Sequence, residues 1–235
     1  MLGLSNTLTN AFTIKSESAW TPANLTGLKG WYRRDVGITL DAQDDVTQWS
    51  DQSGSNNHLT STGVSANSPT YDEVNGAVHF NASGDILTFT SSWDLGTFAI
   101  YFRCEISSYD GDFIFEETTN EFWKIHTADD IRLKIQGGSR HDVSDIQGQL
   151  GSSLPTNTKV NFGLERNADG LLFPFFNGSA LDWNEGDGEQ AITDLFEIST
   201  VGKPATDVKF YEIIICNASQ SSADRTSLQT YLANI

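Results

Sequence analysis

The sequence predicts an all-β domain in which two antiparallel sheets pack face to face and a short helix follows them. Short apolar runs recur about every ten residues, a spacing typical of β-sandwiches. Between residues 98 and 104, two sets of side chains alternate, and this period of two indicates a strand. The first set is Phe98, Ile100, Phe102 and Cys104, and the second is Ala99, Tyr101 and Arg103. Only 19% of the residues are charged, so Ser, Thr, Asn and Gly supply most of the polarity, which suits strands joined by turns.

The individual strands are predicted from apolar runs that end at turn residues. They fall at 30–34, 46–50, 77–80, 86–90, 97–106, 112–115, 121–126, 131–136, 159–165, 171–177, 195–200 and 207–216. The segment 167–170, Asn-Ala-Asp-Gly, predicts a hairpin turn between two of these strands. Pro174 removes a donor from the ladder, so its strand is expected at a sheet edge or at a bulge.

One helix is predicted after the last strand. Ser219 or Ser221 can cap its first turn, because a serine hydroxyl accepts a hydrogen bond from a free backbone N–H there. Leu228, Tyr231 and Leu232 form a single apolar stripe at i, i+3 and i+4. The helix is therefore expected to pack this stripe against the sandwich.

Residues 1–19 differ from the rest and are predicted to form an N-terminal arm, with one domain over residues 20–235. The arm carries apolar side chains that can anchor it to a partner: Leu2, Leu4, Leu8, Phe12 and Ile14. A disordered terminus explains the same composition, and this alternative stays open. Residues 1–10 contain no Lys or Arg and no continuous apolar core, so a secretory signal is not expected there.

The net charge is strongly negative, with 31 Asp and Glu against 14 Lys and Arg, or −17. Binding to duplex phosphate or to an anionic membrane needs clustered cations, so neither nucleic acid nor membrane is expected as a partner. No apolar stretch approaches the ~20 residues that cross a bilayer. The two cysteines, Cys104 and Cys216, lie in strand-like apolar runs, and two buried free thiols or a single bridge are both compatible with this placement.

Three stretches together resemble the concanavalin A-like (laminin G-like) jelly-roll superfamily. They are Leu-Lys-Gly-Trp-Tyr-Arg-Arg-Asp at 28–35, Val-Thr-Gln-Trp-Ser-Asp-Gln-Ser-Gly-Ser-Asn-Asn-His at 46–58, and Tyr-Glu-Ile-Ile-Ile-Cys-Asn at 211–217. The third stretch is followed by 222–232, which includes Asp-Arg-Thr-Ser-Leu-Gln-Thr-Tyr-Leu at 224–232. The resemblance extends over residues 20–235 and implies a two-sheet antiparallel jelly roll with Trp31 and Trp49 in its core. Met-Leu-Gly-Leu-Ser at 1–5 is similar to the start of small virion proteins of tailed phages, which implies a bacteriophage structural protein.

Catalytic patterns known on this fold are missing from the sequence. Laminarinase-like enzymes place Glu-x-Asp-x-x-Glu on one strand, so that the carboxylates share one cleft, and no such triplet occurs here. The Arg, Gln-x-His and Tyr signatures of alginate-lyase-like jelly rolls are also missing, as is a Gly-x-Ser-x-Gly elbow. The chain is therefore predicted to be non-enzymatic and to require no cofactor.

Calcium binding is considered at Asp41, Asp44 and Asp45, because hard cations prefer oxygen ligands supplied by loops. These residues cluster just before a predicted strand. A solvated acidic turn gives the same pattern, since aspartate favours turns in its own right. Calcium at this loop is therefore a hypothesis that competes with the simpler explanation of a turn.

Tryptophans in loops are candidates for glycan binding, because sugars stack on exposed aromatic rings while Asn and Asp fix their hydroxyls. Trp183 with Asn184 and Asp187 is the first such combination, and Trp93 is the second. The alternative is that these indoles only cover the ends of the sandwich. The segment 51–57, Asp-Gln-Ser-Gly-Ser-Asn-Asn, is interpreted as a structural loop first and a ligand loop second.

The preferred functional prediction is a non-enzymatic structural or surface protein of a bacteriophage virion, as a capsid decoration or a tail or baseplate component. Its expected partners are other virion proteins, contacted through the arm, and further copies of itself. The chain is expected to be made in the host cytoplasm and to lie on the virion surface. Two alternatives stay open because this fold carries many functions: a carbohydrate-binding adhesion module for a host surface glycan, and a divergent glycan hydrolase or lyase.

Overall fold

The structure, a computed structural model, describes residues 20–61, 67–82, 84–109, 111–115, 121–135, 140–184, 191–202 and 207–235. These residues form two antiparallel β-sheets that pack face to face, with a C-terminal helix on the outside. The all-β sandwich predicted from the sequence is therefore confirmed. No helix within these ranges is both long enough and apolar enough to cross a membrane.

Sheet A carries the C-terminal helix on its outer face. It contains β1 (Leu28–Tyr32), β5 (Thr70–Asp72), β6 (Ala77–Phe80), β8 (Phe98–Ile106), β13 (Lys159–Arg166), β14 (Leu172–Phe176), β15 (Ser179–Ala180) and β17 (Val208–Cys216). The order across the sheet is β15-β14-β13-β8-β17-β6-β5, and β1 also pairs with β17. The central strands β8, β13 and β17 are buried along nearly their whole length, because the main core lies on one side of them and the helix on the other.

Sheet B forms the other layer. It contains β2 (Ile38–Leu40), β3 (Val46–Trp49), β4 (Leu59–Thr60), β7 (Leu87–Leu95), β9 (Gly111–Phe115), β10 (Phe122–Thr127), β11 (Asp130–Lys134), β12 (Arg140–Ser144) and β16 (Phe196–Val201). Their order is β12-β11-β10-β9-β16-β7-β4-β3-β2. Strands β10 and β11 alternate between buried and half-buried residues, so one face of this sheet packs on the core and the other meets solvent.

Aromatic rings fill the space between the two sheets. The Phe102 ring centroid lies 4.7 Å from that of Phe113 and 5.0 Å from that of Trp123, and Phe162 is 5.1 Å from Phe113. Trp49 is fully buried in the same core, as its place in the sequence pattern implied. Tilted and edge-on pairs of this kind add about 0.5–1.5 kcal/mol each to the area that the rings bury.

The helices are α1 (Ile146–Leu150) and α2 (Ser222–Ala233), with a 3₁₀ turn at Pro22–Asn24. Ser221 caps α2, because its Oγ accepts a hydrogen bond from the Asp224 backbone N–H at 3.1 Å. This confirms one of the two predicted caps. Leu228 and Leu232 are fully buried against a second apolar cluster on the outer face of sheet A, which includes Trp31. The predicted packing of the helix on the sandwich is therefore confirmed.

Each predicted strand has a counterpart within a few residues, and the predicted hairpin joins β13 to β14. Five strands were not predicted: β2, β4, β5 and β15 are too short, and β12 is too polar, to show a clear period of two. The expectation of an edge strand or a bulge at Pro174 is wrong, because β14 lies between β13 and β15 and pairs with β13 without a register shift. The Pro174 carbonyl accepts a hydrogen bond from the Leu181 N–H at 2.9 Å, so its backbone polar groups face the β15 side. The two residues of β15 pair only with Phe175 and Phe176, so β15 does not require the missing N–H.

Cys104 and Cys216 are buried free thiols, which confirms one of the two alternatives and excludes the bridge. They belong to different layers, with Cys104 in the main core and Cys216 in the cluster beneath α2. Burial raises the pKa of both thiols, to about 12 for Cys216. Neither sulfur is therefore a reactive thiolate at neutral pH.

Candidate functional site

Trp183, in the first predicted glycan-binding group, is tied to the fold through its indole. Its N–H donates to the Leu172 carbonyl at 2.9 Å, and its ring packs partly against the main core. Asn184 uses its side-chain amide on β12, where Oδ1 accepts from the Ser144 N–H and Nδ2 donates to Ser144 Oγ, both at 2.9 Å. Asp187 lies outside the described residues. These bonds hold the loop in place, and sugar binding by the three residues stays a prediction.

Trp93, the second predicted glycan-binding residue, lines a cavity of about 260 Å³ between β1, β7 and the loop 51–58. The rest of this Trp93 cavity is polar, and its other lining residues are Lys29, Ser55, Asn56, Asn57, Ser91 and Ser92. The volume lies just below the ~300–1,000 Å³ typical of small-molecule sites. The structure therefore places Trp93 beside the loop 51–57, which was interpreted from the sequence as a structural loop first and a ligand loop second.

One buried carboxylate organises the loop beside this cavity. Asp51 is 7% exposed, and its Oδ1 accepts hydrogen bonds from the N–H of Trp31 at 2.9 Å and of Ser53 at 2.8 Å. Its Oδ2 accepts from the Ser53 hydroxyl at 2.8 Å. The interpretation of this segment as a structural loop is therefore confirmed, because a single aspartate satisfies the backbone and hydroxyl donors of the turn.

The same loop is held to β7 by Asn57 and exposes the side-chain amide of the neighbouring Asn56. The Asn57 Nδ2 donates to the Ser91 carbonyl at 2.7 Å, and its Oδ1 accepts from the Ser91 N–H at 2.8 Å. Asn56 is exposed and has a left-handed backbone with φ of 57°. Its amide therefore faces solvent from a fixed backbone, where it can exchange hydrogen bonds with a ligand.

The Trp93 ring is positioned by packing alone. It contacts Phe89 edge-on with centroids 6.0 Å apart, and its indole nitrogen is buried with no hydrogen-bond partner among the described residues. The indole N–H groups of Trp31 and Trp49 donate to oxygen atoms, whereas that of Trp123 in the main core, like that of Trp93, has no partner among the described residues. An unpaired buried donor costs about 1–3 kcal/mol, and the fold carries this cost at both positions.

Asp41, Asp44 and Asp45 do not gather into a metal site. The Asp41 Oδ1 accepts hydrogen bonds from the N–H of Gln43 at 2.8 Å and of Asp45 at 3.0 Å, so this carboxylate closes its own turn. Asp44 adopts a φ of 64°, the left-handed conformation that aspartate tolerates in turns. Within the described ranges, no three His, Cys, Asp or Glu side chains lie together as a metal ion would require. The geometry thus favours the turn explanation, and calcium binding stays a prediction.

A buried glutamate fastens α2 to sheet A. Glu165 on β13 is 1% exposed and accepts hydrogen bonds from the Tyr101 hydroxyl at 2.5 Å and from Arg225 Nη1 at 3.0 Å. Burial, followed by the nearby Glu165 charge, raises the pKa of the Tyr101 hydroxyl. The only sequence signal for this contact is the Asp-Arg motif at 224–225. It is a signal because an arginine that faces a sheet usually finds an acidic partner.

A second buried glutamate lies nearer the other end of the helix. Glu212 on β17 is 1% exposed, and its Oε1 accepts from the Trp31 indole N–H at 2.5 Å and the Tyr231 hydroxyl at 2.6 Å. Burial raises the pKa of the Glu212 carboxyl, although both hydrogen bonds act in the opposite direction. Two polar contacts therefore supplement the apolar stripe in docking α2.

A groove of about 520 Å³ runs between α2 and the hairpin formed by β14 and β15. This helix groove is lined mainly by Tyr101, Phe175, Asn177, Ser179, Arg225 and Gln229. Its volume falls within the range of small-molecule sites, so it is a second candidate surface for a ligand. No local sequence pattern indicated it, because its residues come from separate parts of the chain that only folding brings together.

The predicted arm cannot be placed by these contacts, since Leu2, Leu4, Leu8, Phe12 and Ile14 lie outside the described residues. The arm and its boundary at residue 20 stay predictions. Trp20, the first described residue, packs its ring against Tyr231 of α2 with centroids 6.0 Å apart. The chain therefore enters the described fold on the helix side of sheet A.

The sequence matches no model of a known protein family, and a search of curated proteins finds no relative. Solved structures are similar in fold. The binding domain of Paraclostridial Mosquitocidal Protein 1 has 13% identity and a TM-score of 0.62, over 90% of this chain and 53% of that chain. The binding domain of botulinum neurotoxin DC in complex with SialylT has 16% identity and a TM-score of 0.60, over 90% and 52%. Trypanosoma rangeli sialidase in complex with sialic acid has 13% identity and a TM-score of 0.57, over 86% and 32%.

The chain spans about half the length of the two toxin domains and about a third of the sialidase. At identities this low, the similarity concerns the fold and not the residues of any site. It places the described chain among two-sheet β-sandwiches, which is the part of the sequence resemblance that these comparisons confirm.

Proposed function

We propose that the chain is a non-enzymatic carbohydrate-binding β-sandwich of the concanavalin A-like type, with the Trp93 cavity as its site. The observation that carries the proposal is the composition of that cavity, whose lining combines one tryptophan with Lys29, two asparagines and three serines. An aromatic surface beside directional donors and acceptors is how proteins hold sugar rings. Asp51 fixes the loop in advance, which reduces the conformational entropy lost on binding.

Two of the structural neighbours support this class of ligand. The botulinum neurotoxin DC binding domain was solved in complex with SialylT, and the Trypanosoma rangeli sialidase in complex with sialic acid. Both contain a sandwich similar to this chain, which covers only part of either protein. These two neighbours support the kind of ligand proposed. The proposed binding residues are those that line the Trp93 cavity.

The Trp93 cavity offers binding groups without the groups for hydrolysis. Glycoside hydrolysis uses two carboxylates that flank the scissile bond, ~5–9.5 Å apart. None of the residues that line this cavity is acidic. The nearby Asp51 carboxylate is buried, and both its oxygens accept hydrogen bonds from the loop. We therefore expect no new reducing ends when the protein is incubated with acidic or neutral polysaccharides, and their release would contradict the non-enzymatic part of the proposal.

Binding is tested by a glycan array, followed by titration calorimetry with the best ligand and two cavity variants. Trp93→Ala removes the stacking surface. Asn56→Gly removes the amide but keeps the backbone, because glycine adopts a φ near 57° readily. Each variant should weaken binding at least about tenfold, which corresponds to ~1.4 kcal/mol. Phe173→Ala is the matched control, since Phe173 is an aromatic side chain 41% exposed on β14 of the other sheet.

The control decides how a negative result is interpreted. If no glycan binds, or if Phe173→Ala weakens binding as much as Trp93→Ala, the Trp93 cavity is not the site. Near-ultraviolet circular dichroism of each variant separates loss of binding from loss of packing. Because Asn56→Gly leaves buried side chains untouched, retained binding by that folded variant would count against the polar half of the proposed site.

A location on the surface of a bacteriophage particle is proposed alongside this role. The supporting observations are the opening sequence at 1–5, the apolar residues of the arm and the net charge of −17, which favours an outward-facing, soluble surface. Deletion of residues 1–19 should abolish incorporation into particles, as measured by mass spectrometry of purified virions. Unchanged occupancy after the deletion would contradict anchoring through the arm.

A further inference from the structure

The helix groove is larger than the Trp93 cavity and contains a preorganised arginine. The groove holds about 520 Å³ between α2 and the β14–β15 hairpin, against about 260 Å³ for the cavity. The Nη1 of Arg225 donates to Glu165 Oε2 at 3.0 Å and to the Gln220 carbonyl at 2.7 Å. These two bonds fix the guanidinium in position before any ligand arrives.

The rest of the guanidinium is available to a ligand. The Arg225 side chain is 33% exposed and lines the groove. Among the described residues, no further hydrogen bond is made by its Nε or Nη2. A planar guanidinium with an open edge is suited to hold a carboxylate through two parallel hydrogen bonds, and little side-chain entropy is lost because the group is already fixed.

The surroundings of Arg225 suit a sugar ring. Phe175 lies beneath the guanidinium, 5.5 Å from its central carbon, and extends the groove with a half-buried aromatic surface. Ser179 and Asn177 on the hairpin side are exposed, and Gln229 faces them from the helix. Asn177 Oδ1 and Gln229 Oε1 already accept hydrogen bonds from Asn161, at 2.8 and 3.3 Å, so these side chains offer a ligand their amide N–H groups. Amide donors and a hydroxyl beside an aromatic ring match a ligand that has one apolar face and several hydroxyls.

We propose that the helix groove binds a sugar that carries a carboxylate, with the carboxylate on the open edge of Arg225 and the ring against Phe175. This inference rests on the proposed carbohydrate-binding function and adds a second contact of a defined chemical class. Glu165 balances the charge of Arg225, so recognition depends on the paired hydrogen bonds and not on a positive field. A neutral sugar therefore binds this groove weakly, and a bare carboxylate lacks the contacts of the ring.

The test compares three probes by ligand-observed NMR titration: D-glucuronic acid, D-glucuronamide and acetate. Glucuronamide keeps the ring and removes the charge, whereas acetate keeps the charge and removes the ring. We expect glucuronic acid to bind at least about tenfold more tightly than either of the others, the size of one good bidentate contact. Equal affinity for glucuronamide or for acetate would overturn the proposal.

Three variants locate the binding. Ser179→Trp fills the groove without touching the Glu165–Arg225 pair and should abolish binding of glucuronic acid. Arg225→Lys keeps a positive charge beside Glu165 but removes the planar fork, so the preference over glucuronamide should fall about tenfold. Ser92→Trp fills the Trp93 cavity and should leave this binding unchanged. If glucuronic acid binds despite Ser179→Trp and is lost with Ser92→Trp, the helix groove is refuted while the Trp93 cavity is supported.

Discussion

Replacing Arg225 with methionine removes the only cation that contacts the buried Glu165 carboxylate in the described part of the chain. Glu165 is 1% exposed, and after the change it keeps the Tyr101 hydroxyl at 2.5 Å and the Gln220 N–H at 3.3 Å. Breaking a buried ion pair by deleting one partner typically costs about 3–5 kcal/mol. Because Arg225 is one third exposed and two neutral donors remain, we expect the lower end, ~3 kcal/mol.

Urea denaturation at neutral pH measures this free energy, with unchanged m-values as evidence of two-state unfolding. The expected loss corresponds to a melting temperature lower by roughly 6–12 °C for a chain of this size. The double variant Glu165→Gln/Arg225→Met should recover at least about 1 kcal/mol, because no buried charge remains. Lys29→Met, which removes a cation at the Trp93 cavity, is the control for net charge and should stay within about 0.5 kcal/mol. A loss below about 1 kcal/mol, or a double variant that recovers none of the loss, would refute this account of how α2 is docked.

Three further predictions concern buried groups. Burial raises the pKa of the Glu212 carboxyl, so its contribution to stability is present below the ordinary pKa of about 4.5 and is lost as the pH rises through the raised value. The substitution Glu212→Gln should therefore flatten the pH profile of the free energy of unfolding above pH 4.5. An unchanged profile would contradict this account. A Cβ at Gly163 would lie 2.2 Å from Cε1 of Tyr101, so Gly163→Ala should cost about 1–3 kcal/mol in urea denaturation, and a neutral result would show that the ring moves freely. Cys104 and Cys216 are at most 1% exposed, so both should resist a thiol reagent in the native state and react after unfolding; modification of the native protein would contradict their placement.

The tryptophans show how much of the candidate site could be predicted from the sequence. Trp31 and Trp49 were both expected in the core. Trp49 is buried in the main core, whereas Trp31 is buried in the outer cluster beneath α2. Trp183 and Trp93 were both expected in glycan-binding loops. The structure gives the Trp183 indole a backbone partner, whereas Trp93, which in fact lies on strand β7, lines a polar cavity. Nothing local distinguishes the two residues, since the difference depends on which distant carbonyl lies within reach.

The burial of two glutamates could not be predicted from local sequence patterns. Glu165 follows an alternation that suggests an outward, solvated side chain, whereas Glu212 lies in an apolar run without a period of two. Both are covered by α2. The sequence indicates that a helix follows the last strand and which stripe it buries. It does not indicate which sheet positions lie beneath that helix, because the docking site depends on the order of strands in sheet A.

The sequence by itself determined the all-β class, the position of each long strand, the capped helix and the lack of cationic clusters, since these depend on periodicity and composition within short windows. Tertiary structure alone decided which side chains share a cavity. Arg225 on α2 meets Glu165 across 60 positions, and Asn57 meets Ser91 across 34, through helix docking and loop packing that no local window contains. Binding sites depend on such long-range contacts because a ligand is held by atoms that converge in space, whereas the patterns that form strands and helices involve neighbours along the chain.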